Sequence, residues 1–478
     1  MTTAALDRPT GSVDIGRVLD EGPFTSMQKM VVLLASLSIV LDGFDGQLIG
    51  YAIPDLIKEW GISRSAFAPT VASGLVGMGI GSAFGGLFAD RFGRRMAVIV
   101  SVFLFGAATC AIGWAPNILT IAILRFIAGL GIGGALPTST TMTAEFTPAR
   151  RRTLAVTATI VCVPLGGMLA GLFAGVVLPL YGWRGLFFIG GAIPMVMGVL
   201  LLFTLPESPR FLARHRERWG ELGTLLSRMQ RPTVAGTVFT DLTEQVVEKK
   251  KEKGFGALFE QGRKRDTIAI WCAFFMCLLT VYSAFSWLPT MLSAEGLPTQ
   301  IAGSGLTAWN MGGVLGGLGC AMVIARFGSR WPMAIASAGA VAVAFLLKTV
   351  DVAHDTNLLI FGLGILGLFV NAVQCTLYAL CAYIYPTNIR ATGTAGGLSF
   401  GRIGAILSAF LGAAVITAGG ASGYLTLLGG SMFFVTIALL VVRRHIPKLG
   451  GVREGSAAAI RPETAGGPSS ADAVRRGA

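Results

Sequence analysis

Charged residues are scarce in this sequence. Asp, Glu, Lys and Arg make up 13% of its 478 residues, whereas hydrophobic residues make up 53% and the mean hydropathy is +0.69. Soluble domains carry about 25% charged residues. The composition therefore excludes a soluble enzyme of this size and predicts an all-α polytopic membrane protein.

Histidine is rare as well, and no metal-binding spacing is present. The three histidines, His215, His354 and His445, lie in loops or tails, and the sequence has no His-x-x-x-His or Cys-x-x-Cys pattern. The seven cysteines all fall in apolar runs, where small buried thiols are common. We expect no metal, no cofactor and no disulfide. A membrane-embedded enzyme, which needs a nucleophile with a base or a metal cluster, is disfavoured.

Positive charge is plentiful but scattered. The net charge is +13 and the isoelectric point is near 9.8, values that nucleic-acid-binding domains also reach. Here the basic residues stand in short loops between long apolar runs instead of along one face. We therefore expect the lipid bilayer, and no nucleic acid, as a partner.

The apolar runs have the length of membrane spans. A helix needs about 20 apolar residues to cross a bilayer core of about 30 Å. Twelve runs fit or approach this length: 29–56, 66–89, 96–114, 118–144, 154–180, 186–205, 268–292, 303–324, 333–347, 358–383, 394–418 and 424–442. They predict a tail (1–28), a six-helix bundle (29–205), a central loop (206–266), a second six-helix bundle (267–443) and a disordered tail (444–478).

Basic residues concentrate in one of the two alternating sets of loops. That set carries Arg91, Arg94, Arg95, Arg150 to Arg152, Arg326, Arg330, Arg390, Arg443 and Arg444. The other set offers only Lys58, Arg64, Arg184 and Lys348. By the positive-inside rule, both termini and the central loop are expected to be cytoplasmic, in a multi-pass protein of the cell inner (plasma) membrane.

The two halves of the chain repeat a pair of motifs. Arg91-Phe92-Gly93 after the second span is echoed by Arg326-Phe327-Gly328 after the eighth. Pro148 to Arg152 after the fourth span is echoed by Pro386 to Arg390 after the tenth, at nearly the same spacing. Six plus six helices joined by a basic loop favour two bundles that rock around a site at the bilayer midplane. The same repeat disfavours a symmetric ion channel.

The first span carries Asp42-Gly43-Phe44-Asp45 in its middle. An acidic side chain at mid-membrane costs about 2.5 to 3.5 kcal/mol, and intramembrane charges are functional by default. Three residues apart on a helix, Asp42 and Asp45 share a face. The alternative is a short loop between two half-length segments, since Asp-Gly also marks turns. Those segments are too short to span alone, which favours one helix with two functional carboxylates.

Several motifs resemble those of the major facilitator superfamily. They are Gly86, Asp90, Arg91, Gly93, Arg94 and Arg95 of its signature loop, Arg125 with Gly129, Gly131 and Gly133 of its fourth helix, and Pro206-Glu207-Ser208-Pro209-Arg210 of metabolite porters. The acidic pair, Ser286-Trp287-Leu288-Pro289 and Gly401-Arg402-Ile403-Gly404 are similar to those of the aromatic acid:proton symporter family, the 4-hydroxybenzoate and protocatechuate permeases.

This resemblance implies uptake of a small aromatic carboxylate, of the benzoate or hydroxybenzoate class, with a proton by alternating access. A proton-coupled porter of another organic acid or of a sugar-like metabolite is the alternative, because the Pro206 to Arg210 motif also fits sugar porters. Val163 to Gly167 lacks the glycine spacing typical of drug:proton antiporters, which favours uptake. The particular acid, the proton stoichiometry and the oligomeric state stay open.

Only four charges lie within the spans away from helix ends: Asp42, Asp45, Arg125 and Arg402. Without a histidine among them, a carboxylate is the expected proton carrier. About 1.5 Å of rise per residue puts Asp45 and Arg125 at similar depth, so an arriving anion can compete with the carboxylate for the guanidinium. The alternative is that Arg125 pairs with an aspartate only to hold the first bundle together. Arg402 is the second candidate for the anion.

Two further groups of candidates carry weaker signals. A gating network at the cytoplasmic helix ends would contain Asp90, Arg91, Arg94, Glu145, Arg152, Arg326 and Arg390, although Ala325 stands where Asp90 stands in the first half. For substrate contact we expect Asn371, Gln374 and Tyr378 on one face of the tenth span, and Tyr282 and Trp287 of the seventh span, which can stack on an aromatic ring. Simple helix packing explains these residues equally well.

Overall fold

The computed structural model of the chain describes residues 12–232, 237–241, 255–260, 262–351, 354–385 and 389–448. Its α-helices, in chain order, are α1 (Ile15–Glu21), α2 (Ser26–Trp60), α3 (Arg64–Phe92), α4 (Arg94–Ile112), α5 (Ile118–Phe146), α6 (Ala149–Thr204), α7 (Pro209–Arg214), α8 (Trp219–Arg228), α9 (Lys264–Ala294), α10 (Thr299–Phe327), α11 (Arg330–Leu347), α12 (Thr356–Ile384) and α13 (Arg390–Val441). Ten of the described helices are long and apolar enough to cross a membrane.

Two of these ten helices supply two spans each. Helices α6 and α13 have 56 and 52 residues, and a straight helix of that size would be about 80 Å long, more than twice a bilayer core. Both change direction at a glycine with positive φ, Gly182 at 64° and Gly420 at 56°. The prediction of twelve spans in an all-α membrane protein is confirmed.

The spans form two bundles with the same internal packing. In the first bundle α2 packs against the first half of α6 and α3 packs against α5. The second bundle repeats this arrangement with α9 against α13 and α10 against α12. This repetition is the three-dimensional counterpart of the duplicated loop motifs. We call the end at which α2 begins and α3 ends the basic end, because it carries the basic loops.

The first span is one continuous helix through Asp42 to Asp45. Thr25 caps it, since its side chain accepts from the Gln28 backbone while the Gln28 side chain accepts from the Thr25 backbone. Helix α2 ends at Trp60, where Gly61 adopts a left-handed conformation with φ 61°. The alternative of a loop between two half-length segments is therefore wrong.

Short elements cover the basic end. Strand β1 (Ser12–Asp14) pairs in parallel with β2 (Val238–Thr240), which brings the predicted tail against the predicted central loop. Asp20 in α1 accepts a hydrogen bond from Arg152. Arg210 in α7 lies 3.8 Å from the Asp20 carboxylate. The central loop thus contributes the helices α7 and α8. Residues 449–478 of the predicted C-terminal tail lie outside the described residues.

Candidate functional site

A cavity lies between the two bundles, beside the middle of α2. Its polar and aromatic lining residues are Asp42, Gln47, Arg125, Tyr282, Phe285, Ser286, Gln374, Tyr378 and Arg402, and its apolar ones include Val71, Leu75, Met78 and Ile132. Both halves of the chain contribute, and the walls are mostly apolar with a few convergent polar groups. This is the usual composition of a small-molecule site.

Backbone contact between α3 and α5 positions one of the cavity arginines. A Cβ atom at Gly129 would fall on the carbonyl oxygen of Gly74, and one at Gly133 would fall on that of Met78. Only glycine permits this approach, in the way that small residues allow close packing in membranes. The contact brings Arg125 alongside Gly74 and aims its guanidinium at α2.

The four residues of the acidic motif point in different directions. Asp42 lines the cavity, and Gly43 lets α2 touch α6, because a Cβ there would fall on the Val163 carbonyl oxygen. The Phe44 ring packs on Phe173, with 5.3 Å between centroids. Asp45 is fully buried and does not line the cavity. Although they share one helix face, the two carboxylates therefore meet different surroundings.

Arg125 lies next to Asp45, but the two side chains do not form an ion pair. The guanidinium donates to the backbone carbonyls of Asp45 at 3.5 Å and of Gly46 at 3.2 Å. Its Nε has no hydrogen-bond partner among the described residues, and neither does either carboxylate oxygen of Asp45. Arg125 therefore keeps one buried donor without a partner, while a charged Asp45 would be buried without a hydrogen bond, which is costly.

Arg402 reaches the cavity from the second bundle and is held there by Tyr282. Its Nη1 lies 2.7 Å from the Tyr282 hydroxyl and 2.8 Å from the Met78 sulfur of the first bundle. The guanidinium also sits over the Tyr282 ring, 5.5 Å from the centroid. Asp42 is the carboxylate within electrostatic range of Arg402. Two aspartates and two arginines thus lie at or beside the cavity. Asp42 and Arg402 come from different bundles, whereas Asp45 and Arg125 both belong to the first bundle.

The other predicted contact residues divide into two groups. Tyr282, Gln374 and Tyr378 line the cavity. Trp287 is fully buried against Gly412 of α13, and the Asn371 amide donates to the Gly367 carbonyl at 2.9 Å within α12. The last two side chains pack between helices of the second bundle and are not among the lining residues.

The predicted gating residues gather mainly at the basic end of the first bundle. Arg94 lies 2.6 Å from the Asp90 carboxylate and 3.7 Å from that of Glu145. The Arg91 guanidinium stacks on Phe92 and that of Arg326 on Phe327, while Arg152 turns to Asp20. The side chain of Arg390 lies outside the described part of the chain. Among the described residues this network does not join the two bundles.

Several polar contacts near these groups involve residues to which the sequence analysis assigned no role. Glu207 accepts from the Arg95 backbone at 3.1 Å and thereby caps α4. Gln47 and Asn310 form hydrogen bonds across the bundles. A search for charged residues in the spans misses Gln47 and Asn310, because amides carry no charge. Uncharged polar residues inside a span could have pointed to them.

One sequence pattern of hydrolases does occur, but in the wrong structural context. Gly397-Leu398-Ser399-Phe400-Gly401 has the Gly-x-Ser-x-Gly spacing of a nucleophile elbow. That motif works at a sharp turn between a strand and a helix, which exposes the serine to a base. Here all five residues lie inside the helical α13. The spacing is therefore a chance match in a glycine-rich helix.

Comparisons with known proteins find similar chains among transporters. The family model described as Major Facilitator Superfamily matches residues 35–395. A gallate transporter of Pseudomonas putida is 32% identical over 442 residues, which cover 92% of this chain and 96% of the relative. A 4-hydroxybenzoate transporter, PcaK, of Acinetobacter baylyi is 33% identical and covers 85% of this chain and 88% of its own. In fold, the xylose transporter XylE of E. coli, in a partially occluded inward open conformation, superimposes with a TM-score of 0.70 at 21% identity, covering 88% of this chain and 99% of its own.

Proposed function

We propose that this chain, which belongs to the major facilitator superfamily, imports a small aromatic carboxylate together with a proton. The relatives that transport gallate and 4-hydroxybenzoate support the substrate class. The observation that carries the proposal is the central cavity, where Asp42, Arg125 and Arg402 lie among aromatic side chains, with the buried Asp45 next to Arg125. A neutral sugar has no charged group for the two arginines to bind.

The cavity offers complementary groups for both ends of such a substrate. Arg402 presents a planar guanidinium that binds a carboxylate through two parallel hydrogen bonds. The Tyr282 and Phe285 rings, 5.7 Å apart at their centroids, give an aromatic ring an edge and a face to pack on. Gln374 and Ser286 line the same cavity and supply polar groups for ring hydroxyls.

Charge balance gives the coupling between the substrate and the proton. With both aspartates ionised, the charges of Asp42 and Asp45 cancel those of Arg125 and Arg402. A bound carboxylate adds one negative charge, which in a low-dielectric site is costly unless it is neutralised. One proton on an aspartate restores neutrality, so we propose one proton for each carboxylate. Either ligand alone leaves an unpaired charge, and this suppresses leak.

The transport cycle follows from this balance. With the cavity open to the outside, a proton neutralises Asp45 or Asp42, and the substrate carboxylate binds the arginine whose neighbouring aspartate is now neutral. The loaded cavity is neutral, so the bundles close around it and reopen inward at low cost. On the inside the higher pH removes the proton, the aspartate competes for the arginine again, and the substrate leaves.

Uptake by proteoliposomes tests the proposal directly. We expect purified protein to accumulate labelled 4-hydroxybenzoate or gallate when the outside is acidic, and to equilibrate it without accumulation when the pH is equal on both sides. Xylose at the same concentration is the control for a sugar-like substrate. Xylose uptake without aromatic acid uptake would contradict the proposal.

The proposed orientation places the basic end in the cytoplasm. Reporters that are active only on one side of the membrane, fused at Met1, within residues 206–265 and after Arg444, should all read as cytoplasmic, because each flanking loop carries the positive charge that is retained inside. A fusion between α9 and α10, at residues 295–298, is the control and should read as periplasmic. A periplasmic central loop would rule out the orientation.

A further inference from the structure

Helices α2 and α10 meet across the bundles on the side of the cavity away from the basic end. Gln47 and Asn310 exchange two hydrogen bonds, Gln47 Nε2 to Asn310 Oδ1 at 3.3 Å and Asn310 Nδ2 to Gln47 Oε1 at 2.7 Å. One turn farther along α2, the Tyr51 ring packs on Gly303. One turn beyond that, the Thr299 hydroxyl donates to Asp55 at 3.2 Å. We call these three contacts the α2–α10 seam.

The innermost contact is the most deeply buried. Gln47 is 2% exposed and Asn310 is 0% exposed. The Gln47 amide occupies the space that a Cβ atom at Gly167 of α6 would fill, so the pair is enclosed on that side as well. An amide that loses its partner in such a place keeps its full desolvation penalty. Once the seam parts and water enters, that penalty disappears.

The bundles pack on each other mainly through α6 with α10, α3 with α13 and α2 with α9, and the α2–α10 seam adds hydrogen bonds to this packing. Among the described residues, the hydrogen bonds that join the bundles are those of the seam and those of Met78 with Tyr282 and Arg402. Gln47 belongs to both places, since it lines the cavity and follows Asp45 by two residues in α2. Closure of the seam and occupation of the cavity therefore act on the same helix.

We propose that the Gln47–Asn310 pair is the latch that keeps the cavity closed on the side opposite the basic end. The proposal rests on the proposed function only in that a transporter must open this side to load. The two amides bond to each other only in the closed state, whereas the bond from Asn310 to the Leu306 carbonyl lies within α10, so removing one partner destabilises the closed state more than the open state. Removing both leaves two apolar groups in contact and restores closure.

The latch is tested by the accessibility of a thiol in the cavity. Ser286→Cys places the thiol on the lining, in a background with Cys375→Ser because Cys375 also lines the cavity. A membrane-impermeant thiol reagent is added to intact cells, and the chain without Ser286→Cys gives the background from the other cysteines. We expect Gln47→Leu and Asn310→Leu each to raise the labelling rate about tenfold, and the double variant to return near the parent rate.

Gln28→Leu is the matched control. It removes a fully buried glutamine from the same helix, but Gln28 donates to Phe146 within the first bundle, 2.8 Å away at the basic end. It should leave the labelling rate unchanged. Gly167→Ala is a second probe of the latch, since the added methyl displaces the Gln47 amide, and it should raise labelling without removing a polar group.

Two results would overturn the latch: single variants that label at the parent rate, or a double variant whose effect equals the product of the two single effects. The second pattern means that the amides act independently. Labelling needs no substrate, so the outcome is separate from the proposed function. If the single variants label faster but the parent protein takes up no aromatic acid, the proposed substrate is contradicted and the latch is supported. If the parent takes up aromatic acid but the single variants label at the parent rate, only the latch is contradicted.

Discussion

Replacing Asp45 or Asp42 with asparagine is expected to abolish accumulation of aromatic acid against a pH gradient. Asparagine keeps the size of the side chain but cannot lose or gain the proton, so the step that links the pH difference to substrate release is missing. Asp45 is fully buried with both carboxylate oxygens unpartnered among the described residues, and Asp42 lines the same cavity as Arg402. The measurement is uptake by proteoliposomes with an acidic outside.

The asparagine variants should differ from an inactive protein in their exchange activity. At least one of them should still exchange internal for external substrate at equal pH, because a permanently neutral residue mimics the protonated, loaded state. Asp351→Asn, at an exposed loop carboxylate that contacts His354, is the matched control and should accumulate substrate normally. If both Asp42→Asn and Asp45→Asn concentrated substrate in response to the gradient, the carboxylates would not be the proton site.

Replacing Arg402 with glutamine is expected to weaken substrate binding about 100-fold, which corresponds to about 2.7 kcal/mol. Glutamine removes both the charge and the paired donors that match a carboxylate. It also leaves Asp42 without its counter-charge across the bundles. The concentration dependence of exchange at equal pH measures this loss separately from proton coupling.

Two comparisons make the Arg402 result specific. Arg402→Lys keeps the charge but not the planar donor pair, so it should fall between the parent and Arg402→Gln. Arg218→Gln removes an arginine that pairs with Glu221 at 2.7 Å, outside the cavity and the gating network, and should leave affinity unchanged. Unaltered affinity in Arg402→Gln would make Arg402 a packing residue and would move the anion site to Arg125.

Much of the fold can be predicted from the local sequence. A run of apolar residues must become a helix in a membrane, because no water is present to satisfy its backbone groups. Span number and approximate bounds therefore follow from length and hydropathy alone, and α2 at Ser26–Trp60 extends the predicted 29–56 by only a few residues. The six-plus-six arrangement follows from the repeated loop motifs in the same way.

The acidic motif and the buried arginines were also accessible from the sequence, because a charge in a span is costly wherever it lies. The direction in which each side chain faces was not accessible from the sequence. In a helix surrounded by other helices, the face toward a cavity and the face toward a neighbour have the same composition, so periodicity does not separate them. Asn371 and Gln374 lie three residues apart in α12, yet only Gln374 lines the cavity.

What the sequence determined by itself is the membrane setting, the duplicated bundles and the few charges that must serve a purpose inside them. The tertiary structure decided where those charges lie, with Arg402 of the second bundle lining the same cavity as Asp42 and Arg125 held by the backbone of residues 45 and 46. It also decided the Gln47–Asn310 contact, which joins residues far apart in the chain. The physical reason is that hydrogen bonds between spans depend on how two bundles dock, and docking is a property of whole surfaces that no single stretch of residues contains.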